Sequence, residues 1–163
     1  MDMSITKDYT LKKVKTMYHN NKELGNDFEN KLEDILGNYG YWVYHTPNKN
    51  SGQPCDFIGG KNNYIVLLDS KHTNKDYFDF KDIQENQILC FELNKRKGNN
   101  NTGFAIYFKP LNQRFVMRYD KYTYFAKMLK KRANPHELEP IDDYLKSVER
   151  RMNENKPSRS NKS

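Results

Sequence analysis

The sequence predicts an α/β fold, a central mixed β-sheet flanked by helices, with one sizeable core. Three observations carry it. An apolar stripe at helical spacing precedes a set of short strand-like runs, a second helix interrupts those runs, and further helical stripes close the chain. A chain of 163 residues is enough for one domain, and no composition shift marks a second.

Gly25 opens the first helix, on which Phe28, Leu32, Ile35 and Leu36 share a face, and Gly37 or Gly40 ends it. Glu29 lies at the margin of that stripe. It either points across a sheet edge or complements the helix dipole from the first turn. Tyr41 to Tyr44 reads as a strand, and Thr46 to Gln53 as a polar, exposed loop. Cys55 to Ile58 and Tyr64 to Lys71 form a hairpin through Gly59-Gly60 and Asn62-Asn63, followed by a polar connection from His72 to Asp79. A helix over Lys81 to Lys97 gathers Ile83, Gln87, Cys90 and Asn94 on one face. An amide among apolar neighbours needs a partner, so Gln87 bonds either the backbone or a functional site. Strands over Gly103 to Lys109 and Arg114 to Tyr119 precede a helix that Asp120 caps, bearing Tyr124, Phe125, Met128 and Leu129. Pro140 starts a last helix with Tyr144, Leu145, Val148 and Met152, and from Asn155 the chain has no apolar face.

Composition narrows the function. Twelve Tyr and nine Phe supplement a modest aliphatic core with ring packing. Cys55 and Cys90 read as free thiols of a reducing compartment, and His19, His45, His72 and His136 lack zinc-site spacing. No apolar run is long enough to span a bilayer and no secretory signal is visible, so the expected location is the cytoplasm. The net charge of +7 sits at the ends: residues 25–120 hold twelve Lys/Arg against twelve acids, whereas residues 121–163 hold eleven against six. Cationic ends on a neutral centre suit a polyanion, nucleic acid above all.

The chemistry concentrates at Pro54-Cys55-Asp56 and Asp69-Ser70-Lys71. Acid-x-Lys should occur on the order of once in such a chain; it occurs four times, and only Asp69-Ser70-Lys71 follows a buried-strand pattern. Strand alternation puts Asp69 and Lys71 on one side, and the hairpin brings Asp56 beside them. Hard oxygen ligands beside an ammonium suit divalent-metal phosphodiester chemistry, while the bland alternative is a strand ending in solvated polar residues.

These residues resemble the RecU-type Holliday-junction resolvases of the restriction-endonuclease-like PD-(D/E)xK nucleases. Gly25 and Glu29 match the opening of the first helix, and Asp56 with Asp69-Ser70-Lys71-His72-Thr73 matches the acidic motif. Phe78 to Ile88, with Gln87 near its end, matches the lead into the next helix. Asp69 stands where glutamate is usual, and the Thr46 to Gln53 loop is shorter than the segment that forms a junction-inserting stalk. The likeness spans residues 25–119.

The resemblance implies a restriction-endonuclease-like core and a metal-dependent endonuclease that cuts four-way junctions symmetrically. Asp56, Asp69, the Ser70 carbonyl and Glu29 would hold Mg²⁺, or Mn²⁺ in its place, and Lys71 and Gln87 would complete the catalytic group. Lys12, Lys13 and Lys15 at one end and Lys130, Lys131, Arg132, Arg150 and Arg151 at the other are the expected phosphate contacts, although Lys130 to Arg132 also fits an ordinary cationic helix end. The two-fold symmetry of a junction implies a homodimer. The expected layout is a basic segment 1–24, a nuclease domain with C-terminal helices 25–154 and a basic disordered tail 155–163. Another PD-(D/E)xK nuclease, or a DNA-binding module without catalysis, remains the alternative.

Overall fold

The structure, a computed structural model, describes residues 27–47 and 53–156, with the backbone alone for residues 27–30. The expected basic segment 1–24, and the tail beyond Lys156, lie outside the described residues.

Helix α1 (Asp27–Asn38) buries Leu32 and Leu36 against the sheet, as its apolar stripe requires. Strands β1 (Trp42–His45), β2 (Phe57–Lys61) and β3 (Tyr64–Thr73) form an antiparallel meander. The β2–β3 turn is Asn62-Asn63, with Asn62 in the left-handed region at φ 54°. Gly59 and Gly60, expected in that turn, lie inside β2 instead; a Cβ at Gly59 would stand 2.9 Å from Val66 Cγ2, so only glycine fits there.

After β3 the chain crosses over through β4 (Phe78–Asp79), a 3₁₀ turn (Phe80–Asp82) and α2 (Glu85–Arg96) into β5 (Thr102–Phe108), which runs parallel to β3. That one parallel pair makes the sheet mixed. Strand β6 (Gln113–Arg118), helix α3 (Tyr119–Lys127), β7 (Arg132–Ala133), β8 (Glu139–Pro140) and α4 (Ile141–Glu154) complete the chain. The six-stranded sheet has the order β1-β2-β3-β5-β6-β8, and β4 pairs with β7 separately. One face packs on α1 and α4 through Phe57, Val66, Leu68 and Tyr144; the other packs on α2 and α3 through Leu67, Phe91, Phe104 and Phe125. Ring packing is extensive on the second face, where Phe91 meets Phe104 edge-on at 5.2 Å.

Two helices differ from expectation for local reasons. Asp79 Oδ1 accepts the Lys81 N–H at 3.0 Å and Ile83 is extended, so α2 starts at Glu85 and not at Lys81. Asp120 lies inside the first turn of α3, paired with Lys95 Nζ at 2.8 Å, and Arg118 occupies the cap position. Leu129 is left-handed (φ 57°) and ends that element, leaving Met128 and Leu129 exposed and outside the core.

Gly103 on β5 faces backbone: a Cβ there would lie 2.6 Å from the Met117 carbonyl oxygen. Gly103→Ala should therefore cost about 1–3 kcal/mol. Gly37 on α1 has nothing within 4 Å of its virtual Cβ. Gly37→Ala should add about 0.4–1 kcal/mol, both values being read from denaturant unfolding.

Candidate active site

Alternation along β3 sends Val66 and Leu68 to the α1 face and Leu67, Asp69 and Lys71 to the α2 face. Asp69 sits opposite Phe104 of β5, in the middle of the sheet, and is 1% exposed. Asp56 comes from the segment entering β2, which is clamped on two sides. The Thr46 N–H donates to the Asp56 carbonyl at 2.8 Å, and Asn86 Nδ2, near the start of α2, donates to the Gln53 carbonyl at 2.6 Å.

The clamp brings the predicted groups together. Asp56 Oδ2 accepts the Ser70 N–H at 2.6 Å, which ties Asp56 to the strand carrying Asp69 and Lys71. Lys71 Nζ stands 2.9 Å from Asp69 Oδ2 as a charge contact, yet neither Asp69 oxygen has an aligned hydrogen-bond donor. Burial first, and then the negative charge of Asp56, push the Asp69 carboxyl up to about 7, with Lys71 pulling the other way. Lys71 keeps 14% of its side-chain surface and Gln53 is half-buried, so the site reaches solvent at these two residues.

The remaining expected residues divide. Glu29 is on the first turn of α1, and its side chain lies outside the described residues. Gln87 is buried, and its Oε1 accepts the Gln84 N–H at 3.1 Å, so that oxygen serves the start of its own helix. Lys12, Lys13 and Lys15 lie outside the described residues. Lys130 pairs with Glu137 and sits 4.3 Å from the Phe125 ring centre, and Arg151 Nη2 donates to Asn101 Oδ1 at 2.6 Å. Both therefore have structural partners. Lys131, Arg132 and Arg150 are exposed, with Arg132 lying over the Tyr77 ring at 4.6 Å. Gln53, which the sequence reading passed over as loop, belongs to the site: its Nε2 donates a short hydrogen bond to Asp56 Oδ1.

Among the described residues no three His, Cys, Asp or Glu side chains gather as a metal cluster. Two carboxylates suffice for Mg²⁺, which keeps several waters and takes few protein ligands. The fit rests on Asp69, whose two buried oxygens accept no well-aligned hydrogen bond and whose charge is opposed by Asp56. A divalent cation bound there would offset the charge that burial and Asp56 oppose.

The family model for Recombination protein U matches residues 46–155. It takes in the acidic motif and reaches through α4, but omits Gly25 and Glu29, on which part of the resemblance rested. Among curated proteins none is significantly similar in sequence. Among solved structures the chain is similar to Hjc of Archaeoglobus fulgidus, described as a Holliday junction resolvase from an archaeal hyperthermophile. The TM-score is 0.57 at 12% identity, over 74% of this chain and 99% of that one. The chain thus shares the fold of that protein, and its family is given by the model that matches residues 46–155.

In the absence of divalent cations, the raised Asp69 pKa makes the protonated carboxyl the better fit for the folded state. Its contribution to stability is complete below about pH 3.8, declines as pH rises and is lost above about 7. Asp69→Asn should gain stability over the parent across that interval in EDTA, by ~1.4 kcal/mol per unit of displacement, as read from urea unfolding at several pH values.

Proposed function

The chain belongs to the RecU family of Holliday-junction-resolving nucleases, and we propose that it cuts four-way DNA junctions symmetrically by divalent-cation-dependent phosphodiester hydrolysis. The observation that carries this is the Asp69 carboxylate, buried beside Asp56, with Lys71 Nζ 2.9 Å from Oδ2 and no well-aligned hydrogen bond to either oxygen. Asp56, Asp69 and the Ser70 carbonyl would hold Mg²⁺ or Mn²⁺, with Glu29 contributing from α1. When bound, the cation supplies charge neutralisation and Lewis acidity toward water and the scissile phosphate. Lys71 orients the attacking water or balances charge growing on the phosphate oxygens. Gln87 supports the site by fixing the start of α2, from which Asn86 holds Gln53.

Of the expected phosphate contacts, Lys131, Arg132 and Arg150 are exposed and available for backbone phosphates. A junction with two symmetric cuts calls for two copies of a chain that carries one site. Exposed apolar side chains on β1 and β3 support self-association: Trp42 and Tyr44 stack at 6.2 Å, and Trp42, Tyr44 and Ile65 are 59%, 43% and 43% exposed. Among the described residues no helix is long and apolar enough to cross a membrane. The compartment in keeping with recombination is the cytoplasm of a bacterium or of a phage-infected host.

With Mg²⁺, the full chain should cut a synthetic four-way junction at paired positions and leave matched flap and duplex DNA intact; equal cutting of duplex would favour a general nuclease of the same superfamily. Asp69→Asn should slow junction cleavage by at least ~10²-fold while junction affinity stays within a few-fold. Unimpaired cleavage by this variant would remove the site from the reaction. Replacing Lys131 or Arg150 by Ala should weaken junction binding and reduce the slope of log K against log salt by about one each, measured by fluorescence anisotropy.

A further inference from the structure

Gln53 has two ends with different tasks. Its backbone carbonyl is held by Asn86 Nδ2 at 2.6 Å, and its Nε2 donates to Asp56 Oδ1, so both its position and the orientation of its amide are fixed. Exchanging the amide oxygen and nitrogen would set an oxygen against a carboxylate oxygen, which excludes that assignment while Asp56 is ionised. The remaining atom, Oε1, is buried and has no hydrogen-bond donor. Only three other buried side-chain atoms without a hydrogen bond stand out among the described residues, and two of them are Asp69 Oδ1 and Oδ2, the latter also 2.9 Å from Lys71 Nζ.

Buried acceptors are normally paired, and an orphan calls for an explanation at its site. Here three of the four orphans belong to Asp69 and to a residue bonded to Asp56. All are hard oxygens, the donor type that Mg²⁺ and Mn²⁺ take, and an amide carbonyl is an accepted member of such sets. The tyrosine hydroxyl of Tyr144, the fourth, belongs to the core on the α1 face.

We propose that Gln53 is a further oxygen donor of the cation site: its amide nitrogen sets the Asp56 carboxylate, and its amide oxygen faces the cation or one of its waters. This adds an amide oxygen to the carboxylate donors of the site. It rests on the cation reading of Asp56 and Asp69 given above.

The test measures Mn²⁺ binding by electron paramagnetic resonance of the free ion, at pH 8, on the full chain without DNA. Four proteins are compared: the parent, Asp69→Asn, Gln53→Met and Gln53→Glu, each checked for native circular dichroism. Gln53→Met keeps the length but removes the oxygen, and should raise the Mn²⁺ Kd about tenfold. Gln53→Glu keeps an oxygen and adds charge, and should bind at least as tightly as the parent. An unchanged Kd in Gln53→Met overturns the proposal, as does equal weakening in both Gln53 variants, which would leave only a role in holding Asp56. If the parent itself binds no Mn²⁺, the cation reading falls and this inference with it. Binding that Asp69→Asn abolishes and Gln53→Met leaves intact removes this inference alone.

Discussion

The structure depends on holding one carboxylate, Asp69, at the centre of a sheet, countered by the Lys71 ammonium alone and by no well-aligned hydrogen bond. A group so buried is costly to ionise, and Asp56 adds to the cost by placing a second negative charge against it. The surrounding elements make the placement unavoidable. Leu68 and Asp69 pair with Phe57 on one side and Phe104 on the other, so β3 is locked between an antiparallel and a parallel neighbour. Neither residue can turn outward without breaking that register. Frustration of this kind, held by an otherwise consistent fold, is where a ligand-dependent function is expected.

The rest of the molecule can be understood as support for that point. The two sheet faces divide the labour: α1 and α4 close one side with aliphatic and Tyr packing, while α2 and α3 close the other with rings packed largely edge-on. The second face is the one that carries the site. From it α2 sends Asn86 to Gln53, Gln53 reaches Asp56, and Asp56 accepts from Ser70, so a single chain of bonds runs from a helix start to the strand bearing the reactive groups. The cations are arranged with equal economy. Of the cations expected to contact phosphates, Lys130 and Arg151 are engaged with Glu137 and Asn101, while Lys131, Arg132 and Arg150 are exposed.

Much of this was legible in the sequence because it follows from periodicity. The apolar run Tyr64 to Leu68 announced β3, the spacing of Leu32 and Leu36 announced α1, and an acid-x-Lys just after a buried strand announced the site. What escaped has a common cause in pieces too short or too three-dimensional for periodicity to register. Two-residue strands such as β7 and β8 carry no pattern, and the Asp79-capped turn that delays α2 is a single hydrogen bond. Gln53 looked like loop because its role arises from Asn86, thirty-three residues away, and not from its neighbours. Gln87 was recognised as a buried amide needing a partner; its oxygen found the backbone of Gln84.

Anomalous diffraction from crystals of the protein grown with Mn²⁺ tests the central claim most directly. A peak between the Asp56 and Asp69 carboxylates, within ligand distance of both, is the expected result. Ordered side chains at Asp56 and Asp69 with no anomalous peak between them, or a peak held by other residues alone, would contradict it.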